Sequence, residues 1–151
     1  MSRWSPWLAA CALAVTSCTP EPSAELAPLT GQQIFLAKCS ACHQADGRGI
    51  PFNCPPLSTS PRLAGPPEDI IRIMLLGMKG RIVRDGQTYN GIMPSWRFDL
   101  NDAQIAAVIN GLSQRWKPGF PEVTVELVSR IREETAGRKM FPGAKDLGLP
   151  E

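Results

Sequence analysis

One histidine and one tyrosine occur in this 151-residue chain, and neither sign of charge is in much excess. Each scarcity excludes something. With a single imidazole, at His43, no site built on two histidines is possible, and any imidazole-based metal chemistry passes through that residue. A formal charge of +2 is too near neutral to argue for nucleic acid or for strong membrane electrostatics. The apolar run near the start is shorter than the about 20 residues that a bilayer-spanning helix needs. No internal repeat is found. Hydrophobic residues make up 43% and charged residues 20%, enough for a packed core and against wholesale disorder. What is plentiful is proline, 15, and glycine, 13, which predict short helices on long ordered loops. The length suits one domain with an export segment.

Residues 1–18 read as that segment. Arg3 gives a positive start, residues 4–15 are nearly free of charge, and small residues follow. Val15-Thr16-Ser17-Cys18 resembles a lipoprotein cleavage box, with Cys18 as the lipid-bearing first residue. Two alternatives are a similar box ending at Cys11, with almost no apolar region before it, and ordinary cleavage near Ala24. Residues 19–29, rich in Pro, Glu and Ala, read as a tether. The expectation is an exported, periplasmic protein anchored to a membrane through Cys18.

The domain proper is expected over residues 30–117. Thr30 and Gln33 form a capping-box pattern that opens a short helix. It runs into Cys39-Ser40-Ala41-Cys42-His43, followed by a loop dense in Gly and Pro. Glu68 and Asp69 open a second helix, with Ile70, Met74 and Met78 on its core-facing stripe and Gly77 and Gly80 as its stop. Asn101 with Gln104 caps a third, whose stripe is Ile105, Val108, Ile109, Leu112 and Trp116. Residues 118–151 read as an extension with one helix, 124–136, stapled by Val123 and Val128, and a loose tail.

Two cysteines separated by two residues reach both vinyl groups of a haem from one turn of chain, and a histidine directly after the second is directed at the iron. Cys39, Cys42 and His43 have this pattern. The competing zinc reading needs four ligands, and only Cys54 could join, at an unusual spacing. A thioredoxin-like pair needs a preceding strand, and none is patterned here. The prediction is one covalent haem c.

An electron carrier keeps its iron six-coordinate, and without a second histidine the other axial donor is expected to be a thioether. Soft sulfur opposite an imidazole favours the ferrous state and raises the reduction potential. Met74 and Met78 are expected in the core and Met140 lies in the tail. Met93 stands in a loop just before Pro94, which restrains the backbone that presents it, and is the expected ligand.

Taken together, Gly31-x-x-Ile34-Phe35, the Cys39–His43 motif, Gly47-x-Gly49-Ile50-Pro51, Pro55-Pro56-Leu57, Tyr89-Asn90-Gly91-Ile92-Met93-Pro94-Ser95-Trp96 and Leu100-Asn101-Asp102-x-x-Ile105 resemble class I cytochromes c. More narrowly, they resemble the bacterial forms found with copper-dependent nitric oxide reductases, terminal oxidases and alcohol dehydrogenases. The resemblance covers roughly residues 30–116. It implies an all-α fold, with three core helices around one covalent haem on long loops, here with an extra C-terminal helix. It implies thioethers from Cys39 and Cys42, axial ligation by His43 and Met93, and a proline carbonyl, Pro55 or else Pro56, accepting the imidazole N–H. Tyr89 and Trp96 would bond haem propionates or wall the pocket. Two positions depart from the pattern. Gly111 stands near where relatives carry an aromatic residue between the terminal helices. Cys54 replaces an apolar residue and reads as a small buried hydrophobe.

The implied activity is single-electron transfer between redox-protein partners, not catalysis. A haem enzyme or gas sensor would need an open iron position, and no second histidine supplies a distal acid or base. A dedicated cytochrome subunit of a larger oxidoreductase is the alternative, with residues 118–151 as its docking element. Arg62, Lys79, Arg81 and Arg84 read as a solvated face, or else a local basic rim.

Overall fold

The structure, a computed structural model, describes residues 29–138 and Gly143. Cys11, Cys18, the export segment, most of the tether and Met140 lie outside the described residues. Thr30 opens helix α1 (Gly31–Lys38) as its sequence demands. The hydroxyl accepts the Gln33 N–H at 3.3 Å, and the Gln33 carboxamide accepts the Thr30 N–H at 2.8 Å. This reciprocal pair satisfies donors that a helix start otherwise leaves orphaned. One further turn, α2 (Ser40–His43), continues α1 after Cys39.

Helix α3 (Pro67–Leu76) begins on two prolines, where a missing N–H costs nothing, and carries Glu68 and Asp69 in its first turn. It ends at Leu76 because Gly77 adopts φ +68° and ψ −176°. This corrects the expectation for Met78. It leaves the helix and enters strand β1 (Met78–Lys79), paired antiparallel with β4 (Ile92–Met93). A second ribbon pairs β2 (Ile82–Arg84) with β3 (Gln87–Tyr89). The all-α expectation therefore holds for the core, while the second loop is partly folded into two small ribbons.

Helix α4 (Asp102–Trp116) is capped by Asn101 and Gln104 in the same reciprocal way as α1. It crosses α1 closely. A Cβ on Gly31 would stand 1.9 Å from the Ala107 carbonyl oxygen, so only glycine permits the approach. The absence of an aromatic at Gly111 does not separate the helices. The Phe35 and Trp116 rings meet edge to face at 5.9 Å instead, and the Trp116 ring lies against Gly47.

Helix α5 (Val125–Glu134) is capped by Thr124 and ends two residues earlier than expected. Val123 and Val128 flank the cap and are both buried, the anticipated staple. Together with Ile131 they join Ile71, Leu75 and Ile109 in one apolar cluster. Arg132 ties the helix down. It donates to Asp102 Oδ1 at 2.7 Å, to the Arg97 carbonyl at 2.5 Å and to the Leu100 carbonyl at 2.9 Å.

Candidate haem site

The paired cysteines are brought together by the turn they share. Cys39 caps α2, and the N–H groups of Cys42 and His43 both donate to its carbonyl, at 3.2 and 2.9 Å. Both cysteines are free thiols, Cys42 exposed and Cys39 half-buried. Burial, with a smaller contribution from Cys42, raises the Cys39 pKa to about 11. Burial also lowers the His43 pKa, which favours the neutral imidazole, the form that binds a metal. Among the described residues no three His, Cys, Asp or Glu side chains gather as a metal cage.

The loop after the motif folds back on His43. Gly49 N–H donates to the His43 carbonyl at 3.1 Å, and Ile50 and Cys54 exchange backbone hydrogen bonds of 2.8 Å in both directions. Gly49 has φ +71°, and a Cβ there would lie 2.1 Å from the Cys54 oxygen. This tight closure has a consequence that the sequence did not reveal. The ring atom Nδ1 of His43 is met by Cys54 Sγ at 3.2 Å, not by the Pro55 carbonyl. The Pro55 oxygen instead stands 3.9 Å beyond the sulfur. The Cys54 carbonyl is occupied by Ile50 N–H, and the Pro55 oxygen packs beside Gly49. Cys54 is half-buried, and burial, then proximity to Cys42, raises its pKa to about 11. Its oddness in the sequence was the only signal that marked it.

Met93 is held from both sides. Before it, Asn90 and Gly91 N–H groups donate to the carbonyls of Phe52 and Asn53, at 3.0 and 2.9 Å. Those acceptors belong to the loop that carries Cys54, so the loop that follows His43 and the segment that leads to Met93 are stitched together. After it, Ser95 Oγ donates to the Leu75 carbonyl at 2.7 Å and Trp96 N–H to the Met74 carbonyl at 2.8 Å. Met93 is half-buried against Ile73 and Leu76, directly opposite Met78 in the ribbon. Trp96 packs against the main core cluster, and Tyr89 is buried on β3. Pro55 and Pro56 are half-buried in the His43-side loop. Of the basic residues, Lys79 and Arg81 are exposed, and Arg84 reaches the Thr59 carbonyl at 3.4 Å.

The donor set fits a covalently attached haem. Two free thiols share one helical turn. The neighbouring neutral imidazole has Nδ1 engaged and Nε2 left for a metal, and a restrained thioether stands on a separate strap. Paired thiols and an imidazole of this kind, on a helical core with long loops, define a haem protein of the c type.

The cytochrome c family model matches residues 29–116. The chain is 37% identical over 134 residues to a cytochrome c-552 of Thermus thermophilus, covering 82% of this chain and 89% of that protein. It is 32% identical over 108 residues to the gluconate 2-dehydrogenase cytochrome c subunit of Pantoea cypripedii, covering 70% of this chain but 24% of that subunit. The alcohol dehydrogenase (quinone) cytochrome c subunit of Gluconobacter oxydans matches at 26% over 105 residues, 68% of this chain and 22% of that subunit. The chain belongs to the cytochrome c family. It is an electron carrier with one covalent haem c and the class I fold. It spans only about a quarter of the length of the dehydrogenase subunits it matches.

Proposed function

We propose that this cytochrome passes single electrons between protein partners outside the cytoplasm, without catalysing a reaction of its own. Its haem is held by thioethers from Cys39 and Cys42 and ligated axially by His43 and Met93. A haem bound there supplies an iron that takes up and releases one electron. The residues do the rest. Cys39 and Cys42 keep the group attached, and neutral His43 offers Nε2. Met93 offers soft sulfur that favours the ferrous state. Tyr89 and Trp96 wall the pocket.

The observation that carries this reading is the stitching of the Asn90-Gly91 segment to Phe52 and Asn53, with the anchoring of Ser95 and Trp96 on α3. Backbone held at both ends keeps a ligand in place in both oxidation states, which a carrier requires and an enzyme with an open iron position does not. Met93→Ala is expected to abolish the weak sulfur–iron charge-transfer band. It should lower the potential by on the order of 0.1 V, within the about 0.8 V that axial ligands span, and open the reduced iron to carbon monoxide. An unchanged band would remove Met93 as ligand. Fast carbon monoxide binding by the unmodified protein would favour an enzyme or sensor.

The matches to dehydrogenase subunits support a second reading, that the chain serves as the cytochrome subunit of a larger dehydrogenase; a terminal oxidase or a nitric oxide reductase is the version that the resemblance of the motifs alone suggests. Co-purification of a stable partner at stoichiometric amount separates the two. Membrane attachment through lipid on Cys18 is part of the proposal. Incorporation of labelled palmitate should be lost in Cys18→Ala, and a label that persists would exclude that site.

A further inference from the structure

Cys54 takes no part in attaching the haem, yet its sulfur stands 3.2 Å from Nδ1 of the proximal imidazole. We propose that the Cys54 thiol is a positioning residue for His43. It is interposed between the ring and the Pro55 carbonyl as acceptor from one and donor to the other. The inference rests on His43 being the iron ligand.

The tautomer follows from that role. A neutral imidazole that binds metal through Nε2 carries its proton on Nδ1. At 3.2 Å from Nδ1, Sγ is placed to accept that proton's hydrogen bond. The thiol hydrogen is then left to point at the Pro55 oxygen, 3.9 Å away, a long and weak contact. The backbone that carries the sulfur is fixed. Cys54 is clamped through its own N–H and C=O to Ile50, and the loop is held to His43 by Gly49 and to the Met93 strap by Phe52 and Asn53.

The chemistry of the acceptor gives the consequence. The partner of a ligating imidazole fixes the ring's rotation and raises its basicity, more strongly the better the partner accepts. Sulfur is a weak acceptor and a carbonyl oxygen a good one. The thiol therefore holds the ring in orientation while polarising its N–H only slightly. His43 remains a weaker donor to iron, which favours the ferrous state in the same sense as the thioether opposite.

Because His43 is the chain's only histidine, nitrogen-15 histidine labelling of the full haem-loaded protein gives one imidazole to observe. In the reduced protein, Cys54→Ser places a stronger acceptor at the same point. It should move the Nδ1–H resonance downfield and lower the midpoint potential. Cys54→Ala leaves the N–H without its near partner and should accelerate its exchange with solvent about fivefold or more, the effect of losing a net hydrogen bond. The charge-transfer band of the thioether should persist in both. Unaltered Nδ1–H shift, exchange and potential in both variants would overturn the proposal and return the proton to a carbonyl. An Nε2 resonance in the unmodified protein at the position of a metal-free imidazole would instead overturn the ligand assignment, and this inference with it.

Discussion

The thioether proposed as iron ligand is only as steady as the backbone beneath it, and at Met93 that backbone rests on a glycine. Gly77 ends α3 at φ +68° and ψ −176°, a conformation that essentially only glycine adopts. A Cβ there would also stand 2.6 Å from the Met93 carbonyl oxygen. Gly77→Ala is expected to destabilise the haem-loaded protein by about 1–3 kcal/mol. It should also weaken the sulfur–iron charge-transfer band, because the new methyl group pushes the ligand strand outward. A combined thermal melt and near-infrared or red absorption spectrum checks both, and a stable variant with an intact band would show that the close approach does not position the ligand. In the sequence Gly77 read correctly as a helix stop. Its approach to Met93 could not be read, because it depends on the pairing of β1 with β4.

At the scale of elements, the helices were the legible part. Thr30 with Gln33, and Asn101 with Gln104, announce their helices by local hydrogen bonding that involves only neighbours, and both capping boxes are formed. The ribbons were not legible. Two- and three-residue strands leave too short an alternation to detect, and Met78 was drawn into the helical stripe by spacing alone. The attachment of α5 is also a tertiary matter, and Arg132 bears much of it. Its three hydrogen bonds reach Asp102, Arg97 and Leu100, and Arg97 in turn bonds to the Arg132 carbonyl and to Thr135. Arg132→Ala removes one charge-assisted pair and leaves two carbonyls unpaired. The expected cost is about 1.5–3 kcal/mol. It is measurable as a lowered denaturant midpoint of the haem-loaded protein with an unchanged visible spectrum.

Across the whole molecule, α5 is part of the core. Val123, Val128 and Ile131 are buried against α3 and α4, outside the segment that the family model spans. Burial of three such side chains contributes about 1.5–3 kcal/mol each. Deleting residues 118–151 is therefore expected to destabilise the haem-loaded protein by roughly 5 kcal/mol or more and to promote aggregation, seen in a thermal melt with light scattering. A deletion that leaves the melt unchanged but slows electron delivery to a partner would make the segment a docking element instead.

The atoms proposed to meet a haem can be named from chain order alone. Cys39, Cys42 and His43 are adjacent in the chain, so one turn brings them together whatever the rest of the molecule does. With one imidazole in the chain, the second axial donor proposed is a thioether. Tertiary structure decided how those atoms are held. Cys54 meets His43 from eleven positions further along the chain, the residues flanking Met93 are braced by carbonyls of Phe52, Asn53, Met74 and Leu75, and Gly31 lets α1 touch α4. Each of these depends on contacts between segments distant in sequence. Hydrogen-bond distance and van der Waals approach select such contacts only once the chain has closed on itself.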